Sequence, residues 1–75
     1  MNFQDFLDGL VVALDLPDVK ELDPDLPFIK LPDYDSLATL GVMTFAEIEF
    51  NKPIEGQWIW DNEITPKQLF DHLNK

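Results

Sequence analysis

Four prolines, Pro17, Pro24, Pro27 and Pro32, lie between Asp15 and Asp35 and constrain the fold of this chain more than any other feature. Each proline removes a backbone N–H donor and disfavours helical geometry in the residue before it. The same stretch holds seven acidic residues against two lysines, yet it is too apolar for a free linker. Its large apolar residues are Leu22, Leu26, Phe28, Ile29 and Leu31. We therefore predict a long connection pinned across the helices, and such loops are often functional.

The residues before this connection follow a helical period. Apolar side chains recur at i, i+3, i+4, i+7 and i+11, at Phe3, Phe6, Leu7, Leu10 and Leu14. This spacing places them on one face of a helix, and only Val12 breaks the pattern. Asn2 is a suitable N-cap, so we predict a helix that runs to about Leu14.

The residues after the connection predict a second helix from about Ser36 to Phe50, capped by Asp35 or Ser36 and stopped before Pro53. We assign one face to the core: Thr39, Val42, Met43, Ala46 and Phe50. A second stripe consists of Leu37, Leu40, Thr44 and Ile48, with Gly41 beside it and Glu47 flanking it. Two interpretations stay open, because this stripe suits either a central helix packed on both sides or an exposed docking face.

The last third of the chain predicts one short helical turn and a final helix. The turn lies between Pro53 and Asp61, where Trp58 and Trp60 are expected to close the core from the side. The segment Thr65-Pro66-Lys67-Gln68 combines a threonine N-cap, proline at the first helical position and glutamine at the third. Leu69, Phe70 and Leu73 supply the apolar face of this helix. We predict one all-α domain over residues 1–75, a small four-helix bundle of three main helices and a short one, with a long first loop.

Composition excludes several classes of function. The 75 residues include no cysteine and one histidine, His72, which rules out disulfides, thiol nucleophiles and multi-histidine metal sites. The sequences around Asp23–Asp25 and Asp33–Asp35 lack the glycine and distal glutamate of a calcium loop. No glycines flank Ser36 as in a hydrolase nucleophile elbow, so we expect no hydrolase activity.

Charge and hydropathy limit the classes of partner that this chain can have. Fifteen acids against five lysines give a formal charge of −10, which would repel phosphate backbones and argues against nucleic-acid binding. No apolar run approaches the roughly 20 residues of a membrane span, and no signal peptide opens the sequence. We expect a soluble, cytoplasmic monomer, and composition leaves open whether its charge serves solubility or attracts basic protein partners.

Ser36 is the only serine of the chain, and it stands where the acidic loop meets the second helix. A phosphate esterified to it would face free backbone N–H groups and the positive end of the helix. The alternative is an ordinary N-cap serine.

Asp35-Ser36-Leu37 at the start of a helix resembles the acyl carrier protein family. In that family the serine carries a 4'-phosphopantetheine arm whose thiol holds acyl groups as thioesters. The resemblance covers nearly the whole chain: the amphipathic first helix, the loop rich in proline and aspartate, the second helix and the last helix appear in order. The segment Phe50-Asn51-Lys52-Pro53-Ile54 is similar to the family's Phe-Asp-x-x-Ile exit from the second helix.

The resemblance implies a role for each part of this region. Ser36 would be the attachment site, and Asp35 would meet the basic, magnesium-bearing site of a phosphopantetheinyl transferase. The face read by partners would consist of Leu37, Leu40, Gly41, Thr44, Glu47 and Ile48. Those partners would be acyl-loading and acyl-processing enzymes with basic docking patches, and the cargo would be an acyl or aminoacyl group.

The chain also departs from the fatty-acid carriers. They usually have glycine where this chain has Asp33, and they commonly have acids where it has Ala38, Gly41 and Ile48. These departures favour a specialised biosynthetic pathway. Two other functions remain as alternatives: an interaction module of the same fold that never receives the arm, and an acidic protein inhibitor.

Overall fold

The computed structural model describes all residues from Met1 to Lys75 and contains four α-helices and no strand. The helices are α1 (Phe3–Ala13), α2 (Ser36–Phe50), α3 (Gly56–Asp61) and α4 (Pro66–Leu73). This confirms the predicted all-α class. None of these helices combines the length and apolar character needed to cross a membrane.

The first helix begins and ends within one residue of its predicted bounds. The Asn2 side chain accepts a hydrogen bond from the Asp5 N–H at 2.8 Å and so caps α1. Phe6, Leu7 and Leu10 are buried, whereas Val12 is exposed. The predicted apolar face of α1 is therefore the face that meets the core.

All four helices and the long connection contribute to a single core. The largest side chains buried to less than 2 % exposure are Phe6, Leu10, Phe28, Val42, Ile59, Pro66 and Leu69. Phe6 lies at the centre, with its ring centroid 5.6 Å from Phe45, 5.9 Å from Phe50 and 5.0 Å from Phe70. Burying each large apolar side chain contributes roughly 1.5 to 3 kcal/mol.

The long connection is fastened to the C-terminal part of the chain. It contains two short 3-10 turns, Val19–Glu21 and Phe28–Lys30, which the sequence pattern does not predict. The Phe28 N–H donates to the Ile64 carbonyl at 2.9 Å, and the Lys67 N–H donates to the Pro24 carbonyl at 3.2 Å. The expectation that apolar residues pin this connection is confirmed, since Leu22, Phe28 and Leu31 are buried.

The short helix predicted in the C-terminal part is present as α3, whose six residues place Ile59 fully in the core. His72 is half-buried, and its ring lies 4.5 Å from that of Trp58. The predicted capping box of α4 is present: the Gln68 N–H donates to the Thr65 hydroxyl, and the Thr65 N–H donates to the Gln68 side chain.

Candidate functional site

Asp35 caps α2. Its backbone is extended, and one carboxylate oxygen accepts a hydrogen bond from the Ala38 N–H at 3.0 Å. Of the two possible caps, the structure therefore uses the aspartate. Ser36 is the first residue inside the helix and needs no side-chain contact to hold it there.

The Ser36 hydroxyl is exposed and makes no hydrogen bond to any other group of the protein. The backbone N–H groups of Ser36 and Leu37 also lack protein acceptors, as expected in the first turn of a helix. The only serine of the chain thus has a hydroxyl without a hydrogen-bond partner, next to unpaired backbone N–H groups at the positive end of a helix.

A partly buried polar network fixes the first turn of α2 to its neighbours. The Thr39 hydroxyl accepts a hydrogen bond from the Trp60 indole N–H at 2.9 Å and donates one to the Tyr34 hydroxyl at 2.7 Å. The Asp35 carbonyl, at 3.2 Å, is a second acceptor within reach of Thr39. The helix end that carries Ser36 is therefore tied both to the long connection, through Tyr34, and to α3, through Trp60.

The environment of Tyr34 favours its neutral form. Its ring centroid lies 6.3 Å from Phe28 and 5.5 Å from Trp60. Burial raises the pKa of the Tyr34 phenol above its ordinary value, the negative charge of Asp35 raises it further, and the hydrogen bond from Thr39 opposes the increase. The phenol therefore serves this site as an uncharged hydrogen-bonding group. Sequence periodicity places Thr39 on the core face but gives no sign of its two partners.

The second stripe of α2 is exposed along its length. Leu37, Leu40 and Ile48 are 75 %, 55 % and 73 % exposed, and Thr44 and Glu47 also face solvent. Gly41 differs, because it is half-buried and a Cβ there would lie 2.7 Å from the Ala13 carbonyl oxygen. Gly41 thus allows close contact between α1 and α2 at the edge of the stripe, while the other five residues form a surface that no part of the chain covers.

The core face of α2 is shifted from its predicted position. Thr39, Val42 and Ala46 are buried as expected, but Met43 and Phe50 are only half-buried. Phe45, which the sequence assigns to neither face, is buried against α1, where a Cβ on Gly9 would overlap its ring. The missing side chain at Gly9 was the one signal in the sequence that could have indicated this contact.

A groove of about 330 Å³ opens beside the site, between the end of α1 and the end of the long connection. Tyr34 and Ala38, on either side of Ser36 in sequence, both line it. The only ion pair in the structure, between Lys30 and Glu63 at 3.8 Å, lies outside this groove. No group of carboxylate or imidazole side chains is arranged to hold a metal ion.

Comparison with known proteins gives no match: no family model fits the chain, and neither a curated protein nor a solved structure is significantly similar to it.

Proposed function

We propose that this protein is an acyl carrier, which holds acyl or aminoacyl intermediates as thioesters on a 4'-phosphopantetheine arm attached to Ser36. The main support for the proposal is that Asp35 and Ser36 have different roles at the start of α2. Asp35 caps the helix, so the hydroxyl of the only serine is left exposed and without a partner. The arm would supply the thiol on which the cargo is held, and the chain itself has no cysteine.

The surroundings of Ser36 suit a covalently bound phosphodiester. Its single negative charge would lie beside the free N–H groups of Ser36 and Leu37, where an anion at a helix N-terminus is stabilised by about 0.3 to 1 kcal/mol. In the attachment reaction, the Ser36 oxygen forms a bond to the phosphorus of coenzyme A nearest the pantetheine. The bond between that phosphorus and the bridging oxygen breaks, adenosine 3',5'-bisphosphate leaves, and the serine proton passes to a base on the transferase.

The backbone before Ser36 supports the family resemblance at a position where the sequence departs from it. Asp33 has a φ of 61°, in the left-handed region that glycine adopts most easily. The fatty-acid carriers usually have glycine at this position. Aspartate tolerates the left-handed conformation better than most residues, so it can fill the same backbone requirement.

The exposed stripe supplies a surface for the enzymes that would load and process the cargo. Leu37 directly follows Ser36, and Leu40 lies one helical turn further, so a partner seated on them would also reach the arm. The surrounding acidic charge favours partners with basic patches and speeds their encounter without requiring high affinity. We place this carrier in a specialised biosynthetic pathway in the cytoplasm and expect it to act as a monomer without catalytic activity.

The same stripe also favours a second candidate, an interaction module that never receives the arm. Exposed leucine and isoleucine side chains suit both functions. Modification of Ser36 separates them.

The deciding experiment is the intact mass of the chain after incubation with coenzyme A and a broad-specificity transferase. We expect one phosphopantetheine per chain, none on Ser36→Ala, and full modification of Thr65→Asn, which removes a hydroxyl at the start of α4 and keeps a residue that can cap that helix. If the wild-type chain stays unmodified while other carriers are converted, the proposal is wrong.

A further inference from the structure

The groove beside Ser36 has an apolar base and an acidic rim. Its half-buried or buried lining includes Leu14, Leu16, Leu31 and Ala38. The lining also includes three carboxylate residues, all exposed: Asp15, Glu21 and Asp33. A volume of about 330 Å³ falls within the range of small-molecule sites, which begins at roughly 300 Å³.

The charge of this groove is not compensated by the chain. No lysine lines it, and none of its three acids forms an ion pair. These acids also form no group that could hold a metal ion. An apolar base beneath a negative rim complements a ligand with an aliphatic body and an ammonium group, whereas a carboxylate on the ligand would be repelled.

We propose that this groove holds an aminoacyl cargo with a free ammonium group, carried on the arm at Ser36. This inference rests on the proposed function and specifies its substrate class. The groove borders the start of α2, since its lining includes Tyr34, two residues before Ser36, and Ala38, two residues after it. The aliphatic part of the cargo lies on Leu14, Leu16 and Leu31, and its ammonium group lies among Asp15, Glu21 and Asp33.

The first test uses free probes, so that it does not depend on modification of Ser36. Binding of n-hexylammonium, hexanol and hexanoate to Ser36→Ala is measured by NMR titration at low salt. We expect hexylammonium to bind roughly tenfold more tightly than hexanol, hexanoate to bind most weakly, and added salt to reduce the preference. Equal affinity for hexylammonium and hexanol would overturn the proposal.

Matched variants locate the binding. Asp15→Asn and Asp33→Asn each remove one rim charge, and asparagine tolerates the positive φ that both positions have. Each should weaken hexylammonium binding by roughly 2- to 5-fold, as expected for exposed charge pairs. Asp71→Asn on α4 makes the same change in net charge away from the groove and should leave the affinity unchanged. If all three variants weaken binding equally, the effect is only net charge and the groove is not the site.

The second test places the cargo at Ser36 without a transferase. Because the chain has no cysteine, Ser36→Cys gives a single thiol that can be alkylated with a tether as long as the arm. One tether ends in an ammonium group and the matched tether ends in a methyl group. We expect the ammonium tether alone to shift the amide resonances of Asp15, Glu21 and Asp33, and high salt to reverse these shifts.

The outcomes distinguish the two proposals. If free hexylammonium binds but the ammonium tether leaves the groove unchanged, the groove takes a cation from elsewhere, such as a lysine side chain of a partner, and the cargo assignment is wrong. Failure of the transferase to modify Ser36 would contradict the carrier function, and neither groove measurement depends on that reaction.

Discussion

The two sides of α2 contain similar amounts of apolar side chain but have opposite environments. Val42 and Ala46 are fully buried against the rest of the protein, whereas Leu37 and Ile48, on the same helix, are more than 70 % exposed. Hydrophobicity alone therefore does not identify the core side of this helix. The buried side is set by what packs on it: α1 approaches at Gly41 and Phe45, and α3 approaches at Thr39.

This contrast separates the residues of α2 that stabilise the fold from those that contribute little to its stability. Exposed leucine and isoleucine side chains add little to stability, and most surface positions tolerate substitution within about 0.5 kcal/mol. The fold does not explain the stripe of Leu37, Leu40 and Ile48, and the proposed recognition by partners would explain it. Pairs of matched substitutions on the two sides test this distinction.

The largest effect is expected for apolar truncation. Phe45→Ala removes a ring that packs 5.6 Å from Phe6, so we expect a loss of about 3 to 5 kcal/mol in the free energy of unfolding. Ile48→Ala, three residues further along the same helix, should change it by no more than about 0.5 kcal/mol. Urea unfolding of both variants measures the difference. A comparable loss in both would mean that the stripe is packed and that the docking surface does not exist.

A smaller effect is expected for the hydroxyl groups. Thr39→Val removes the group that joins Trp60 to Tyr34, and we expect a loss of about 1 to 2 kcal/mol because two polar groups lose their partner. Thr44→Val removes an exposed hydroxyl that bonds only to the Leu40 carbonyl, so its effect should stay within about 0.5 kcal/mol. Both changes keep a β-branched side chain, so helix propensity is matched. Equal losses would show that the network does not stabilise the fold.

Several elements could be predicted from the sequence because their signals are local. The bounds of α1, α2 and α4 follow from a run of apolar residues with helical spacing and from capping residues within one turn, as at Thr65 and Gln68. The two 3-10 turns could not be predicted, because three residues are too short to show a period. The six residues of α3 are held by burial of Ile59, which depends on the other helices.

The candidate site likewise has features that the sequence predicts and features that it does not. Ser36 could be identified from its uniqueness and its position before a helical pattern. That Asp35 rather than Ser36 caps the helix could not be decided, since both residue types are good caps and the choice depends on the backbone geometry of one residue. The Thr39 network and the groove join segments far apart in sequence, so no local pattern could reveal them.

A third pair of variants tests the division of roles at the start of α2. Asp35→Ala removes the carboxylate that accepts the Ala38 N–H, and we expect a loss of about 1 kcal/mol in the free energy of unfolding. Ser36→Ala removes a hydroxyl without a partner and should change it by less than about 0.5 kcal/mol. Thermal unfolding of the two unmodified variants provides the comparison. A greater loss for Ser36→Ala would make the serine a structural residue and remove the main support for its role in attachment.

The smallest effect is expected at alkaline pH, where Tyr34, bonded to the buried side of α2 through Thr39, titrates and no group of the exposed stripe does. Burial raises the pKa of Tyr34 in the folded state above the ordinary tyrosine value, so the folded state retains the phenolic proton at a pH where the unfolded chain has released it. The contribution of this group to stability is therefore complete below the unfolded pKa and is lost as pH rises through the folded pKa. Absorbance of the ionised phenol reports this titration directly, because Tyr34 is the only tyrosine. Tyr34→Phe should remove both the absorbance change and its share of the alkaline loss of stability, while Leu37→Ala on the exposed stripe should leave both unchanged. A Tyr34 that titrates at the same pH in the folded and unfolded states would mean that water reaches the phenol and that the network around Thr39 is open.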